Sequence, residues 1–241
     1  MPAKRAAIII SSMKARQLHS WQISTSEAKQ IQTSLARQIS HVNEVTRPRF
    51  IAGADISVQK TTMPARAAIV SMSYPEFKII EVQIAEGNLN LPYIPGLLSF
   101  REAPLILAAC QKLSMVPDLI LVDGQGIAHP RRFGIASHLG LLLNTPTIGC
   151  AKSRLCGSHE TPEDKTGAYE EIRDDGGDII GAALRTKKGT KPIYVSIGHK
   201  IDLPAAIYWT MESCRGYRIP EPTRQAHIAA GSNTQILTKD I

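Results

Sequence analysis

The sequence predicts an α/β fold, a mixed sheet flanked by helices, on three observations. Asp118-Leu-Ile-Leu-Val-Asp123 is a short apolar run that ends in a carboxylate and then Gly-Gln-Gly. That is the pattern of a buried parallel strand whose carboxyl end faces ligand, as in open α/β sheets. Around it, helical patterns over 101–113 and 131–143 alternate with strand patterns over 118–123 and 146–151, which implies right-handed parallel crossovers. Upstream, residues 50–58, 67–73 and 77–85 read as strands, the last two separated by a turn at Tyr74-Pro-Glu76, so the three form an antiparallel meander.

In chain order, residues 1–23 are basic and mixed and read as an N-terminal arm, poorly ordered or loosely docked. Ser24-Thr-Ser-Glu27 fits a capping box, and Ala28, Ile31, Leu35 and Ile39 then form one apolar stripe of a helix that Arg47-Pro-Arg ends. After the meander and the alternating units, residues 157–177 are rich in Gly, Asp, Glu, Lys and Thr and read as a surface excursion. Residues 179–184 and 191–197 read as a hairpin around Lys187-Lys-Gly189, and 203–214 as an amphipathic helix ended by Gly216. Tyr217 to His227 and a polar tail close the chain. With no repeat and no dividing linker, residues 24–241 are expected to form one domain. A meander followed by alternating helices and strands is a mixed sheet of the ribonuclease H-like kind.

Composition narrows the partners. The 28 Lys and Arg exceed the 21 Asp and Glu, a net charge of +7 that suits a polyanion such as nucleic acid. The four cysteines (Cys110, Cys150, Cys156, Cys214) form neither a C-x-x-C pair nor a zinc spacing and read as reduced thiols. No stretch approaches the length of a membrane span, and the apolar run after Lys4-Arg5 is too short for a signal segment. A cytoplasmic protein is expected.

Three carboxylates stand in apolar settings on separate elements: Asp55, Glu102 and Asp123. Converging at one sheet end, they suit Mg²⁺, which takes oxygen ligands and supports phosphodiester hydrolysis. The other reading is a salt-bridged surface Glu and strand-end Asp residues capping turns. Gly124-Gln-Gly126 permits close backbone approach but lacks the third glycine of a dinucleotide fingerprint. His129-Pro-Arg-Arg132 offers a proton donor or a phosphate contact at a helix start, or simply a solvated cap. Lys152 either points toward Asp123 or is solvated. Pro92-Tyr-Ile-Pro95 is a stiff aromatic tip, either a wedge for a base stack or a loop anchor. His199 and His227, each alone, default to structural roles.

Four blocks, PYIPGLLSFRE, PDLILVDGQGIAHPRR, PTIGCAKSRLCG and GYRIPEPTRQAH, resemble the endonuclease V family over about residues 50–227, most densely between Pro92 and Gly157. The resemblance implies a ribonuclease H-like fold and a Mg²⁺- or Mn²⁺-dependent nuclease. Such an enzyme nicks DNA at the second phosphodiester bond 3′ to deoxyinosine and leaves 3′-hydroxyl and 5′-phosphate ends. It also implies metal ligation by Asp55, Glu102 and Asp123, an active-site role for Lys152, and His227 near the metal. The tip Pro92, Tyr93, Ile94, Pro95 and Gly96, with Gly124, Gly126 and His129, is then expected to hold the lesion, Tyr93 as wedge. Hypoxanthine carries an oxygen where adenine has an amine, so a backbone N–H donor would favour it. The implied partner is inosine-containing DNA bound by a monomer; inosine-containing RNA, or a binding module without catalysis, is the alternative.

Overall fold

The computed structural model describes residues 13–58 and 64–232. Its strands form one eight-stranded sheet in the order β3-β2-β1-β4-β5-β8-β7-β6. The meander is β1 (Phe50–Ser57), β2 (Ala65–Ser73) and β3 (Ile79–Gly87), antiparallel throughout. The chain then crosses through helix α2 (Leu98–Cys110) to β4 (Leu119–Val122), parallel to β1, and through α3 (Ile135–Leu143) to β5 (Thr147–Ala151), parallel to β4. Strands β6 (Tyr169–Arg173), β7 (Ile179–Leu184) and β8 (Ile193–His199) complete the sheet antiparallel, β8 lying against β5. Helices α4 (Leu203–Glu212) and α5 (Glu221–Gly231) follow.

The two-residue period of a strand sorts the core into two layers. Ile51, Leu119, Leu121, Ile148 and Cys150 face α4 and α5. Ala52, Ala54, Ile120 and Val122 face α2 and α3. Helix α5 lies so close to β1 that a Cβ on Gly53 would stand 2.0 Å from the Pro222 carbonyl carbon. Only glycine allows that approach.

Helix α1 (Thr25–Ala36) opens with the expected capping box: the Ser24 hydroxyl accepts from Glu27 N–H, and the Glu27 carboxylate accepts from Ser24 N–H at 2.7 Å. Residues 13–23, expected as a loose arm, pack instead on α2 and α3. Met13 is buried, Arg16 N–H donates to Leu142 O at 2.8 Å, and the Nε2 atoms of His19 and His138 share a 2.7 Å hydrogen bond. Trp21 stacks obliquely on His138 and meets Phe100 edge-on. The apolar Met13, Leu18 and Trp21 outweigh the local charge. Residues 1–12 and the tail from 233 lie outside the described residues.

Two further elements depart from expectation. The excursion 157–177 contains edge strand β6, where only Ile172 is buried among charged neighbours. The segment after Tyr217 contains helix α5, which starts at its prolines because Pro222 occupies the first turn, where a missing N–H costs nothing. Helix α3 starts at Ile135 rather than 131, because Arg132 has φ +53° and its N–H closes a turn to His129 O. Among the described residues no helix is long and apolar enough to cross a membrane.

Candidate active site

Strand register brings the charged residues together. Ala54 pairs with Val122 on the parallel β1/β4 ladder, so the next residues, Asp55 and Asp123, are neighbours at the carboxyl end of the two strands. Both continue the set of positions that face α5, as does Lys152, one residue past the end of β5. The meander grows from β1 in one direction and the crossovers build in the other, so this point is where an open sheet splays its strand ends to form a crevice.

Asp55 is buried, and its Oδ2 lies 2.7 Å from His227 Nδ1, presented by α5. Asp123 is ion-paired with the Lys152 ammonium. Ligand atoms of Asp55, Asp123 and His227 all lie within 4.8 Å of one another. His227, read locally as structural, thus joins the carboxylates, and the parity of α5 against β1 places it there. Glu102 comes from α2 in the opposite layer, buried and outside that three-residue group. Burial pushes its carboxyl up to about 7, with repulsion from Asp55 and Asp123 adding to the shift against the opposing Arg101. Burial, and then Asp123, likewise raises Asp55, against the pull of His227 and Lys152. Three carboxylates thus converge where burial and mutual repulsion disfavour the charged forms of Asp55 and Glu102.

Beside it opens a pocket of about 250 Å³. Tyr93, Ile94 and Gly96 form one wall, Asp123, Gly124 and His129 another, and Lys152 to Leu155 the rim. Tyr93 is 67% exposed at the tip. Pro92 and Pro95 flank it, exposed, without lining the pocket. Gly126 is also absent from the lining. It is buried, its N–H donates to Ser196 Oγ at 2.9 Å, and a Cβ there would stand 2.0 Å from Ile197 O. That glycine serves the contact with β8.

His129 has both ring nitrogens engaged: Nδ1 accepts from Arg131 N–H at 3.1 Å and Nε2 donates to Gly96 O at 3.0 Å. Burial, with the Arg131 charge, pulls its pKa down to about 4, so it is a neutral wall residue rather than a proton donor. The sequence reading missed Ser99, Gln125 and Ile135 in the pocket lining, and Gln32 on α1. Gln32 had a signal: it sits on the apolar stripe of α1 and is fully buried.

A family model described as Endonuclease V matches residues 33–228. The endonuclease V of Dehalococcoides mccartyi is 48% identical over 91% of this chain and 98% of its own length. Among solved structures, Bacillus subtilis endonuclease V superposes with a TM-score of 0.86 at 32% identity, covering 90% of this chain and 95% of that one. Ciona intestinalis endonuclease V, in complex with a 24mer DNA containing an inosine followed by a ribo-adenosine, gives a TM-score of 0.74 at 30% identity, covering 85% and 95%. The fold is the ribonuclease H-like fold of these structures. The chain belongs to the endonuclease V family, nucleases that act on phosphodiester bonds.

Proposed function

We propose that this protein is a metal-dependent repair endonuclease that recognises deoxyinosine in DNA. It hydrolyses the second phosphodiester bond 3′ to the lesion, leaving 3′-hydroxyl and 5′-phosphate ends. The observation that carries the reading is the convergence of Asp55, Asp123 and His227 ligand atoms directly beside a pocket walled by an exposed aromatic tip. The Ciona complexes with inosine DNA support the choice of base.

The donor set fits a divalent cation. Two carboxylates from adjacent strands supply hard oxygens, and burial, with repulsion between the carboxylates adding to it, raises Asp55 and Glu102. Asp55 and Asp123 would hold Mg²⁺, or Mn²⁺ in its place, with His227 and Glu102 at the edge of the set. When bound, such an ion polarises the phosphodiester and acidifies water. Lys152 offers an ammonium beside Asp123, where it offsets charge growing on the phosphate. Tyr93 stacks on the bases next to the lesion, and the Gly96 and Gly124 walls admit the extruded base. The net charge of +7 favours the phosphate backbone. The free cysteines among the described residues suit a reducing cytoplasm, where the protein acts as a monomer.

A second reading, cleavage of inosine-containing RNA, is favoured by one observation: the Ciona complexes place a ribonucleotide after the inosine. End-labelled DNA and RNA strands of one sequence, each with a single inosine, separate the two. The DNA reading expects faster cleavage of the DNA, with a product one nucleotide longer than a cut immediately 3′ to inosine. Equal cleavage of an inosine-free strand would refute both.

A further inference from the structure

The carbonyl oxygen of Gly96 accepts three hydrogen bonds from two separate parts of the chain. Gln32 Nε2 donates from α1 at 3.0 Å, His129 Nε2 at 3.0 Å and Arg131 Nη2 at 2.7 Å. The donors are themselves tied together. Arg131 Nε donates to Gln32 Oε1 at 2.6 Å, and Gln32 Nε2 also donates to Phe133 O at 3.1 Å. The amide orientation of Gln32 follows, since its nitrogen faces two carbonyls and its oxygen faces a guanidinium. Gly96 has φ +76°, and a Cβ there would stand 2.8 Å from Arg131 Nη2, so the clamp requires glycine.

A fully buried glutamine on a helix remote from the carboxylates is a costly way to hold a surface turn unless the position of that turn matters. The turn is the base of the tip that carries Tyr93, and it forms one wall of the pocket. We infer that Gln32 and Arg131 are positioning residues for base recognition, holding the Pro92–Gly96 tip against the loop before α3 so that Tyr93 and the pocket wall stay in register. The inference rests on the reading of Tyr93 as the group that stacks at the lesion. Neither residue touches the carboxylate cluster, so their removal acts on binding rather than on hydrolysis.

The test uses the full chain in four forms: wild type, Gln32→Leu, Tyr93→Ala and the double variant. Single-turnover cleavage of inosine DNA gives a half-saturating protein concentration and a plateau rate, and a matched inosine-free duplex gives selectivity. Loss of a buried hydrogen-bonding hub costs affinity about tenfold. Gln32→Leu is therefore expected to raise the half-saturating concentration about tenfold with the plateau nearly unchanged. Its effect should vanish in the Tyr93→Ala background, because coupled residues are non-additive. A lower melting temperature with selectivity intact, or additive effects in the double variant, would overturn the inference. Should Gln32→Leu fail to fold, Arg131→Met removes two of the bonds from a half-buried site and must show the same split. Tyr93→Ala with undiminished selectivity would instead refute the stacking reading, a failure visible in a different protein from the one that tests the clamp.

Discussion

The carboxylate cluster and the clamp on Gly96 lie on either side of one pocket and are built on opposite principles. In the cluster, Asp55, Glu102 and Asp123 crowd together, and burial with mutual repulsion raises Asp55 and Glu102 against the pull of Lys152, His227 and Arg101. In the clamp the Gly96 carbonyl and the Gln32 amide have their partners, and His129 is kept neutral with both nitrogens used. A region whose buried carboxylates repel one another is prepared for a ligand that brings the opposite charge. A region that satisfies itself is prepared to hold a shape. Substitutions should therefore separate into those that stop hydrolysis and those that blunt recognition.

The largest effect belongs to the cluster. Asp123→Asn keeps the shape of the side chain and loses its charge, so nicking should fall on the order of 10³-fold while inosine DNA is still retained in a band shift. Near-normal turnover would remove Asp123 from the chemistry. Lys152→Ala should slow single-turnover cleavage at saturating enzyme by about 10²-fold, the scale for loss of one group that stabilises developing charge. An unchanged rate would make its ion pair with Asp123 merely a surface contact.

Across the pocket the affected step should change from hydrolysis to recognition. A base stacked on an aromatic is worth about 1–3 kcal/mol, so Tyr93→Ala should weaken selective binding of inosine DNA roughly ten- to a hundredfold. Loss of cleavage on every substrate with normal binding would move Tyr93 into the hydrolytic group.

The smallest effect is in stability, and there the two regions oppose each other with pH. Glu102 is raised from 4.5 to about 7 in the folded protein, so its contribution is fully present below about pH 4.5 and is lost as pH rises through about 7. His129 is lowered from 6.5 to about 4, so its contribution is present above about 6.5 and is lost as pH falls toward 4. In EDTA, Glu102→Gln should be more stable than the wild type at pH 8.5, with the gap closing on acidification. Urea midpoints across that range check this, and a gap that widens in acid would contradict the assigned shift.

Most of the cluster was legible in the sequence because strand parity is simple. Apolar runs ending in Asp123 and containing Asp55 fix which side chains share a face once β1 and β4 pair in parallel. His227 was harder, since its place depends on a helix begun by prolines and on the bare backbone of Gly53 that lets this helix approach. Strand β6 was hidden because an edge strand with one buried residue carries no apolar pattern. The clamp was hardest. Its hub is a main-chain oxygen, which has no letter in the sequence, and only the polar Gln32 on an apolar stripe betrays it.

The central claim, that the cluster needs a cation and the recognition wall does not, is tested most directly by one labelled inosine duplex assayed for binding and nicking in Mg²⁺, in Ca²⁺ and in EDTA. Mg²⁺ should support both, with cleavage at the second bond 3′ to inosine. Ca²⁺ should support binding with little cleavage, because its ligands sit at about 2.3–2.6 Å in a looser shell than the octahedral one of Mg²⁺. Efficient nicking in EDTA would contradict the account.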